Sequence, residues 1–326
     1  MLIDKIVIPK GIKVGNAQDD YTGVTVIKCD SGCTGGADVR GGAPGTRETD
    51  LLRPDKAMQK INAVVLSGGS AYGLAASCGV MEYMRGKGNG YKIGGKVVPI
   101  VCGAVLYDLN DSVYRYPDAA MGEDACRRAD SESPSFGNVG AGRGATVGKI
   151  RGLKHACKSG LGAASAKVCG ITVTAIVAVN AFGDVIDDSG KVIAGAKGKS
   201  GDFIGTSDCI KEGKLLKLLF GTGGNTTIGC IITDADLDKV QANKLASFTH
   251  NAYAKRISPV HTDYDGDSIF VMATGRKKAI DFVAVQLAAE EAMCKAITNA
   301  VDLCAQYDII GDLSDEERIE DEADLR

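Results

Sequence analysis

Tryptophan is absent from the 326-residue sequence, and aromatic residues make up only 5% of it. That scarcity argues against stacking on nucleic-acid bases, which needs aromatic platforms. Histidine is almost as rare: His155, His250 and His261 are the only three. Any Ser-His-Asp scheme must draw on one of them, and none neighbours a G-x-S-x-G nucleophile elbow. His250 reads as a surface or helix-end residue, His155 lies in a basic loop and His261 precedes a strand. An excess of one charge is also missing, since 38 Lys and Arg face 41 Asp and Glu for a net of −3. Residues 315–326 hold seven acids and two Arg (net −5), so the remainder stands near +2 and shows no basic excess for a polyanion. No nucleic-acid partner is expected. No run of 18 apolar residues occurs, and the opening MLIDKIVIPKGIKVG lacks the apolar core of a signal peptide. Neither a membrane partner nor export is expected, and the protein is expected in the cytoplasm.

Glycine, by contrast, is abundant at 43 residues, and the hydrophobic fraction of 44% is normal for a globular chain able to bury a sizeable core. Together these suit a compact protein of tight turns and closely packed strands. No internal repeat and no composition shift marks a boundary, so 1–326 reads as a single domain. Eleven cysteines occur, an odd number, most in apolar runs around Cys102, Cys169, Cys230, Cys294 and Cys304. They read as buried, reduced thiols. Cys29 and Cys33 form the one close pair, without a second pair or a nearby His, so no metal site is expected.

Hydrophobic spacing predicts strands over residues 23–28, 63–66, 97–106, 173–180 and 269–273. Helical spacing marks 74–85 after the glycine turn at 67–73, a helix from Leu237 with Asp234 or Asp236 as N-cap, and a long Ala- and Leu-rich helix over 279–304. The tail after Ser314 reads as disordered. Strands grouped with long helices, without strict alternation, point to an α+β fold with helices packed outside sheets.

The glycine-rich segments separate by chemistry. Residues 140–145, GAGRGA, match the dinucleotide fingerprint formally, but Phe136 to Val139 make a poor preceding strand. A phosphate loop fails at once, because Arg143 stands where Gly is needed and Ile150 where Ser or Thr is needed. No cofactor is therefore expected. Residues 221–234, GTGGNTTIGCIITD, are the most informative segment: a glycine loop ends in Asn225-Thr226 and runs directly into an apolar strand. Glycines admit backbone conformations that other residues resist, and a hydroxyl just after a strained bond can attack the carbonyl before it. Cleavage between Asn225 and Thr226 would leave Thr226 with both a hydroxyl and an α-amine of pKa about 8, nucleophile and base in one residue. A tight turn leading into a buried strand explains the same local pattern.

Two further segments bear on that choice. Asn180, at the end of an apolar strand, can donate its amide to a developing oxyanion, or can simply be a strand-end turn residue. Residues 261–268, HTDYDGDS, form an acidic turn entering a strand, able to orient a hydroxyl or receive a substrate ammonium. A solvated hairpin or a loose calcium loop is the plainer alternative, although the EF-hand spacing is absent.

Taken together and in order, several segments resemble one family. They are Val14-Gly15-Asn16-Ala17 with Thr22-Gly23, DVRGGAPGTRETDLL at 38–52, LSGGSAYGL at 66–74, and Val98 to Val101. They continue with Gly137 to Gly140, Val179-Asn180-Ala181, Asn225 to Gly229 with Thr233 to Ala235, and Asp265-Gly266-Asp267. This set is similar to the DmpA-type aminopeptidases of peptidase family S58, which include the β-aminopeptidases. The resemblance implies a four-layer αββα sandwich, like that of N-terminal nucleophile hydrolases but with different strand connections. It further implies self-cleavage into an α chain 1–225 and a β chain 226–326, with no cofactor and no metal. Thr226 would be the nucleophile and Asn180 the oxyanion donor, while one of Asp265, Asp267 and Ser268 would orient the nucleophile. The implied substrate is a short peptide or an aminoacyl amide or ester, and the implied assembly is a homo-oligomer of processed αβ units. Members also place a Tyr after the loop matching Gly140–Gly144, a contact that Ala145 to Gly148 would leave missing or replaced. An acyltransferase of the ornithine-acetyltransferase type and an uncleaved binding protein are alternatives on the same scaffold.

Overall fold

In the computed structural model, the residues described are 2–109, 114–130, 132–213, 224–278 and 281–307. Gly221 to Gly223, Ala279 and the 315–326 tail lie outside them.

Twelve elements build the frame. They are β1 (Ile12–Gln18), β2 (Gly23–Val39), β3 (Lys60–Ser67), α1 (Ala76–Gly86), β4 (Val101–Val105) and α2 (Ala119–Arg127), followed by β5 (Leu161–Val168), β6 (Ile171–Asn180), β7 (Thr226–Asp236), α3 (Lys239–Arg256), β8 (Ser268–Lys278) and α4 (Phe282–Asp302). One hydrogen-bonded path runs β5, β6, β7, β8, β2, β3, β4, with β1 beside β2. Pairing is antiparallel except for β7 with β8 and β3 with β4.

The path becomes two layers because β2 serves both. Its first half pairs with β1 and β3, its second half with β8, and the register with β3 shifts between Lys28 and Cys33. A shift of this kind bends a strand and lets it pass from one sheet to the other. Side chains alternate across each sheet, so every strand supplies two cores. Ile176, Ala178, Ile228, Cys230, Ile232, Phe270 and Met272 face inward and meet Ile27, Ile61, Val64, Leu66 and Cys102 of the other sheet. On the outer faces, Val173, Val177, Ile231 and Val271 pack on α3 and α4, whereas Val24, Val26, Val65 and Val101 pack on α1 and α2. The result is the four-layer αββα sandwich. Each buried aliphatic side chain contributes about 1.5–3 kcal/mol, so a one-residue slip in either sheet would reverse both of its faces at once.

Several local readings are corrected. α3 starts later than read from spacing, because Asp238 caps it: its carboxylate accepts from Gln241 N while the Gln241 side chain accepts from Asp238 N. Asp234 and Asp236 belong to β7 instead, and Asp234 accepts from Thr172 N and pairs with Lys277. Pro99 divides the predicted 97–106 strand, leaving Lys96–Val98 in a separate hairpin. His250 is fully buried, since its position on α3 faces the sheet. Cys169 is exposed in the tight turn between β5 and β6, with φ +47°, whereas Cys102, Cys230 and Cys304 are buried. Among the described residues no helix is long and apolar enough to cross a membrane.

Candidate active site

β7 begins at Thr226, in register with Asn180, the last residue of β6. The pair thus sits at one end of the central sheet. Thr226 is 4% exposed and Asn180 is fully buried. The Thr226 hydroxyl lies against the Asn225 carbonyl oxygen, which also accepts from Gly266 N at 2.9 Å. One backbone donor therefore already polarises the bond that the sequence singles out. Gly266 permits this approach because a Cβ there would come within 2.8 Å of Thr226 Oγ1. Gly224 is required on the other side: it has φ +125°, and a Cβ would lie 2.2 Å from Tyr107 Cγ. The loop enters the strand between an aromatic ring and a backbone turn, with space for no side chain at either glycine.

Asn180 is held from three directions. Its Nδ2 donates to Tyr107 O at 2.8 Å and to Gly224 O at 3.3 Å. Its Oδ1 accepts from Thr146 N at 3.1 Å and from Lys149 Nζ at 2.7 Å, and Lys149 also reaches the Asn180 carbonyl at 3.0 Å. The amide therefore points its donors, not its oxygen, toward the chain just before Thr226. Burial pushes the Lys149 ammonium down to about 7, against the opposing pull of Asp265 and Asp108.

The 261–268 turn packs on the opposite flank. Asp267 Oδ1 accepts from Thr227 N at 2.7 Å, and its Oδ2 accepts from His261 N at 3.1 Å and meets His261 Nδ1 at 2.8 Å. Asp265 accepts from Thr262 N and Oγ1 at 3.0 and 2.6 Å and from Phe182 N at 3.4 Å. Burial, then repulsion from Asp267, raises Asp265 to about 6. The 38–50 loop braces this turn through its backbone: Arg40 N donates to Asp267 O and Ala43 N to Asp265 O. Ser268 is also buried here, but its hydroxyl donates to Gly266 O at 3.0 Å and its register partner is Ile228. The structure thus gathers Asn225, Thr226, Asn180, Asp265 and Asp267 at one strand end and turns Ser268 to a backbone carbonyl.

The two remaining glycine loops converge on Asp108. Its carboxylate accepts from Gly69 N at 2.6 Å and Thr22 Oγ1 at 2.8 Å, and Gly144 abuts it. Burial raises it to about 6. Lys158 holds the 140–145 loop by donating to the carbonyls of Gly142, Arg143, Ala145 and Ser159. Asn16 and Thr25 support the same loop, with Thr25 Oγ1 accepting from Ala141 N. Lys149, Asp108 and Asp265 are thus three buried groups displaced toward neutrality around one strand end, the pattern of a site that moves protons.

The sequence model for peptidase family S58 matches residues 5–313. This chain belongs to peptidase family S58. An uncharacterized aminopeptidase of Mycobacterium tuberculosis (strain ATCC 25618 / H37Rv) is 40% identical over 261 residues, 78% of this chain and 73% of that protein. A 6-aminohexanoate-oligomer endohydrolase of Kocuria sp. (strain KY2) is 31% identical over 269 residues, 81% of this chain and 73% of that protein. Among solved structures, an L-aminopeptidase D-Ala-esterase/amidase from Ochrobactrum anthropi, described as a variant of the Ntn hydrolase fold, superposes with a TM-score of 0.66. It is 17% identical, with 93% of this chain and 89% of that chain covered. A β-aminopeptidase from Burkholderia sp. gives a TM-score of 0.64 at 20% identity over 96% and 91% of the two chains. These two carry the fold; membership in the S58 family supports peptidase or amidase chemistry.

Within this S58 chain, four residues escaped the sequence reading. Lys149 was signalled only by its setting, a single Lys in the apolar run Ala145 to Ile150. Gly266 looked like a turn residue, and its N–H becomes a donor only through the parallel pairing of Asn225 with Asp265. Tyr107 follows a strand distant from the glycine loop in sequence. The tyrosine sought after Gly140–Gly144 is absent there, and the Tyr107 ring stands beside Gly224 instead. His261 was set aside with the other histidines, yet it contacts Asp267 directly.

Proposed function

We propose that the chain cuts itself between Asn225 and Thr226 and that Thr226 then hydrolyses amide bonds through an acyl-enzyme. In the first stage Thr226 Oγ1 adds to the Asn225 carbonyl carbon, and the oxyanion is received by Gly266 N. The C–N bond breaks as the nitrogen takes a proton, leaving an ester that water hydrolyses to an Asn225 carboxylate and a free Thr226 amine. In the second stage that amine accepts the Thr226 hydroxyl proton as Oγ1 attacks a substrate carbonyl. The Asn180 amide, oriented by Lys149 and Thr146 N, donates to the new oxyanion, a contribution of roughly 3 kcal/mol. The amine then returns the proton to the leaving nitrogen, and water releases the acyl group. Asp267 holds the strand through Thr227 N.

The observation that carries this reading is the Thr226 hydroxyl lying against a carbonyl already bonded by Gly266 N, opposite the fixed Asn180 amide. Short peptides and aminoacyl amides or esters are the substrates proposed, with homo-oligomers of processed αβ units as the working form. The relative named for 6-aminohexanoate oligomers supports a second substrate class, linear amides of ω-amino acids. The relatives and neighbours found are named as aminopeptidases and amide hydrolases, so hydrolysis is preferred to acyl transfer.

Intact mass of the wild type beside Thr226→Ala tests the first stage. Fragments of about 23 kDa (225/326 of 33.8 kDa) and about 10 kDa (101/326), the smaller beginning at Thr226, are expected in the wild type only. A single uncut wild-type chain would defeat the reading. Aminoacyl p-nitroanilides and a 6-aminohexanoate dimer then distinguish the substrate classes.

A further inference from the structure

His261 is the one non-glycine residue of the site turn with left-handed backbone, at φ +57°. A side chain resists that region, and residues held there cluster at functional sites. Here it places the backbone N–H and ring Nδ1 of one residue on one carboxylate oxygen, Asp267 Oδ2, at 3.1 and 2.8 Å. The other Asp267 oxygen holds Thr227 N, one residue from the nucleophile. His261 is therefore the far end of a clamp whose near end is the start of β7.

Behind His261 lies His250 of α3, with ring centroids 4.8 Å apart and planes at 68°. His250 Nε2 is 3.1 Å from the Asp38 carbonyl and must donate to it, which leaves Nδ1 as a bare acceptor. Burial holds that ring neutral, down to about 4. Neither His250 Nδ1 nor His261 Nε2 has a hydrogen-bond partner, although both atoms are buried. With His261 neutral and its Nδ1–H directed at Asp267, two acceptors would face each other, which is unfavourable for buried polar atoms. A second proton on His261 converts its Nε2 into the donor that His250 lacks.

We propose that His261 carries both ring protons, bridging Asp267 and His250, and is a positioning residue for Thr226. This rests on the reading of Thr226 as nucleophile. The surrounding charged and titratable groups are Asp265 and Asp267 on the turn, His250 and Tyr253 on α3, and Asp38 and Arg40 at the end of β2. Asp38 and Arg40 pair with each other at 2.9 Å, and Tyr253 is kept neutral by burial. The His261 cation then offsets Asp267 beside the new Thr226 amine. Two uncompensated carboxylates would hold that amine as ammonium and remove the base.

With only three histidines, side-chain 15N NMR of the processed wild type at pH 7.5 can resolve each ring, and His155→Asn and His250→Asn assign the signals. Both His261 nitrogens should read as protonated; a neutral tautomer overturns the proposal. In the second arm, His261→Asn keeps a donor at the Nδ1 position but removes the charge. It should still fold and be cut, and the acidic limb of its kcat/KM profile should move about one unit toward higher pH, since losing a nearby cation favours the ammonium. KM should change less than kcat. A rate loss without that shift would mean a structural role only and would overturn the assignment. An uncut wild type would refute the positioning role through the nucleophile reading itself, and the NMR result on that chain would still decide the charge.

Discussion

Replacing Gly266 with Ala tests the attack geometry more sharply than removing the nucleophile. The added Cβ would meet Thr226 Oγ1 at 2.8 Å, Ala43 O at 2.8 Å and Pro44 Cα at 3.2 Å. Two of these partners are main-chain atoms of the 38–50 loop, which is itself hydrogen-bonded to Asp265 and Asp267, so the methyl cannot be accommodated by rotating a surface side chain. Either the Thr226 hydroxyl turns away or the Gly266 N–H retreats from the Asn225 oxygen. Overpacking of this kind costs about 1–3 kcal/mol of stability. Misplacing a reacting group by about an ångström costs on the order of 100-fold in rate. Gly266→Ala should therefore fold with a lowered Tm and process itself at least about 100-fold more slowly than wild type. Appearance of the small chain over time, followed by mass spectrometry, reads the rate. Gly86→Ala is the control, because a Cβ at the end of α1 meets nothing within 4 Å. That change should leave processing untouched and stabilise the helix by about 0.5–1 kcal/mol. If Gly266→Ala were cut within about threefold of the wild-type rate, the hydroxyl would not attack from the position seen here.

Other expectations follow from the buried charges and thiols. Lys149→Met should slow processing and turnover by on the order of 100-fold, since the Asn180 amide loses its main anchor. The same substitution should affect stability according to pH. The Lys149 value falls from 10.5 unfolded to about 7 folded, so the folded state binds fewer protons between those values. The wild type therefore gains stability as pH rises through that window, by about 3 kcal/mol between pH 7 and pH 9. Methionine carries no such dependence. Tm of Lys149→Met relative to wild type should be higher at pH 6.5 than at pH 9, and denaturation at the two values checks it. Among the cysteines, Cys78 and Cys169 are exposed while Cys33, Cys102 and Cys230 are buried, with Cys102 pushed up to about 12 by burial. A thiol reagent should label the first two in the native protein and the other three only after denaturation, as peptide mapping would show.

The apolar run at 226–232, the strand ending at Asn180 and the acidic turn at 265–267 were all legible in the chain, because each depends on local pattern: strand spacing, a glycine loop or a cluster of carboxylates. The candidate nucleophile and its cut site were legible for the same reason, as a hydroxyl residue directly after a glycine-rich loop. Even the four-layer arrangement could be anticipated, through the ordered resemblance of short segments from residue 14 to 267. What the chain could not display was orientation. Ser268 and Asp267 are neighbours, yet strand alternation sends one to the Gly266 carbonyl and the other to Thr227 N. The N-cap of α3 moved to Asp238 because β7 continues through Asp236, a length set by its pairing with β8. Lys149 looks like any surface lysine until Asn180 and the sheet close around it, and only then does desolvation displace its proton affinity. Sequence alone determined which residue types stand beside which along the chain. Tertiary structure decided which of them share a water-excluded strand end, because hydrogen-bond direction and burial are properties of packed neighbours rather than of spacing.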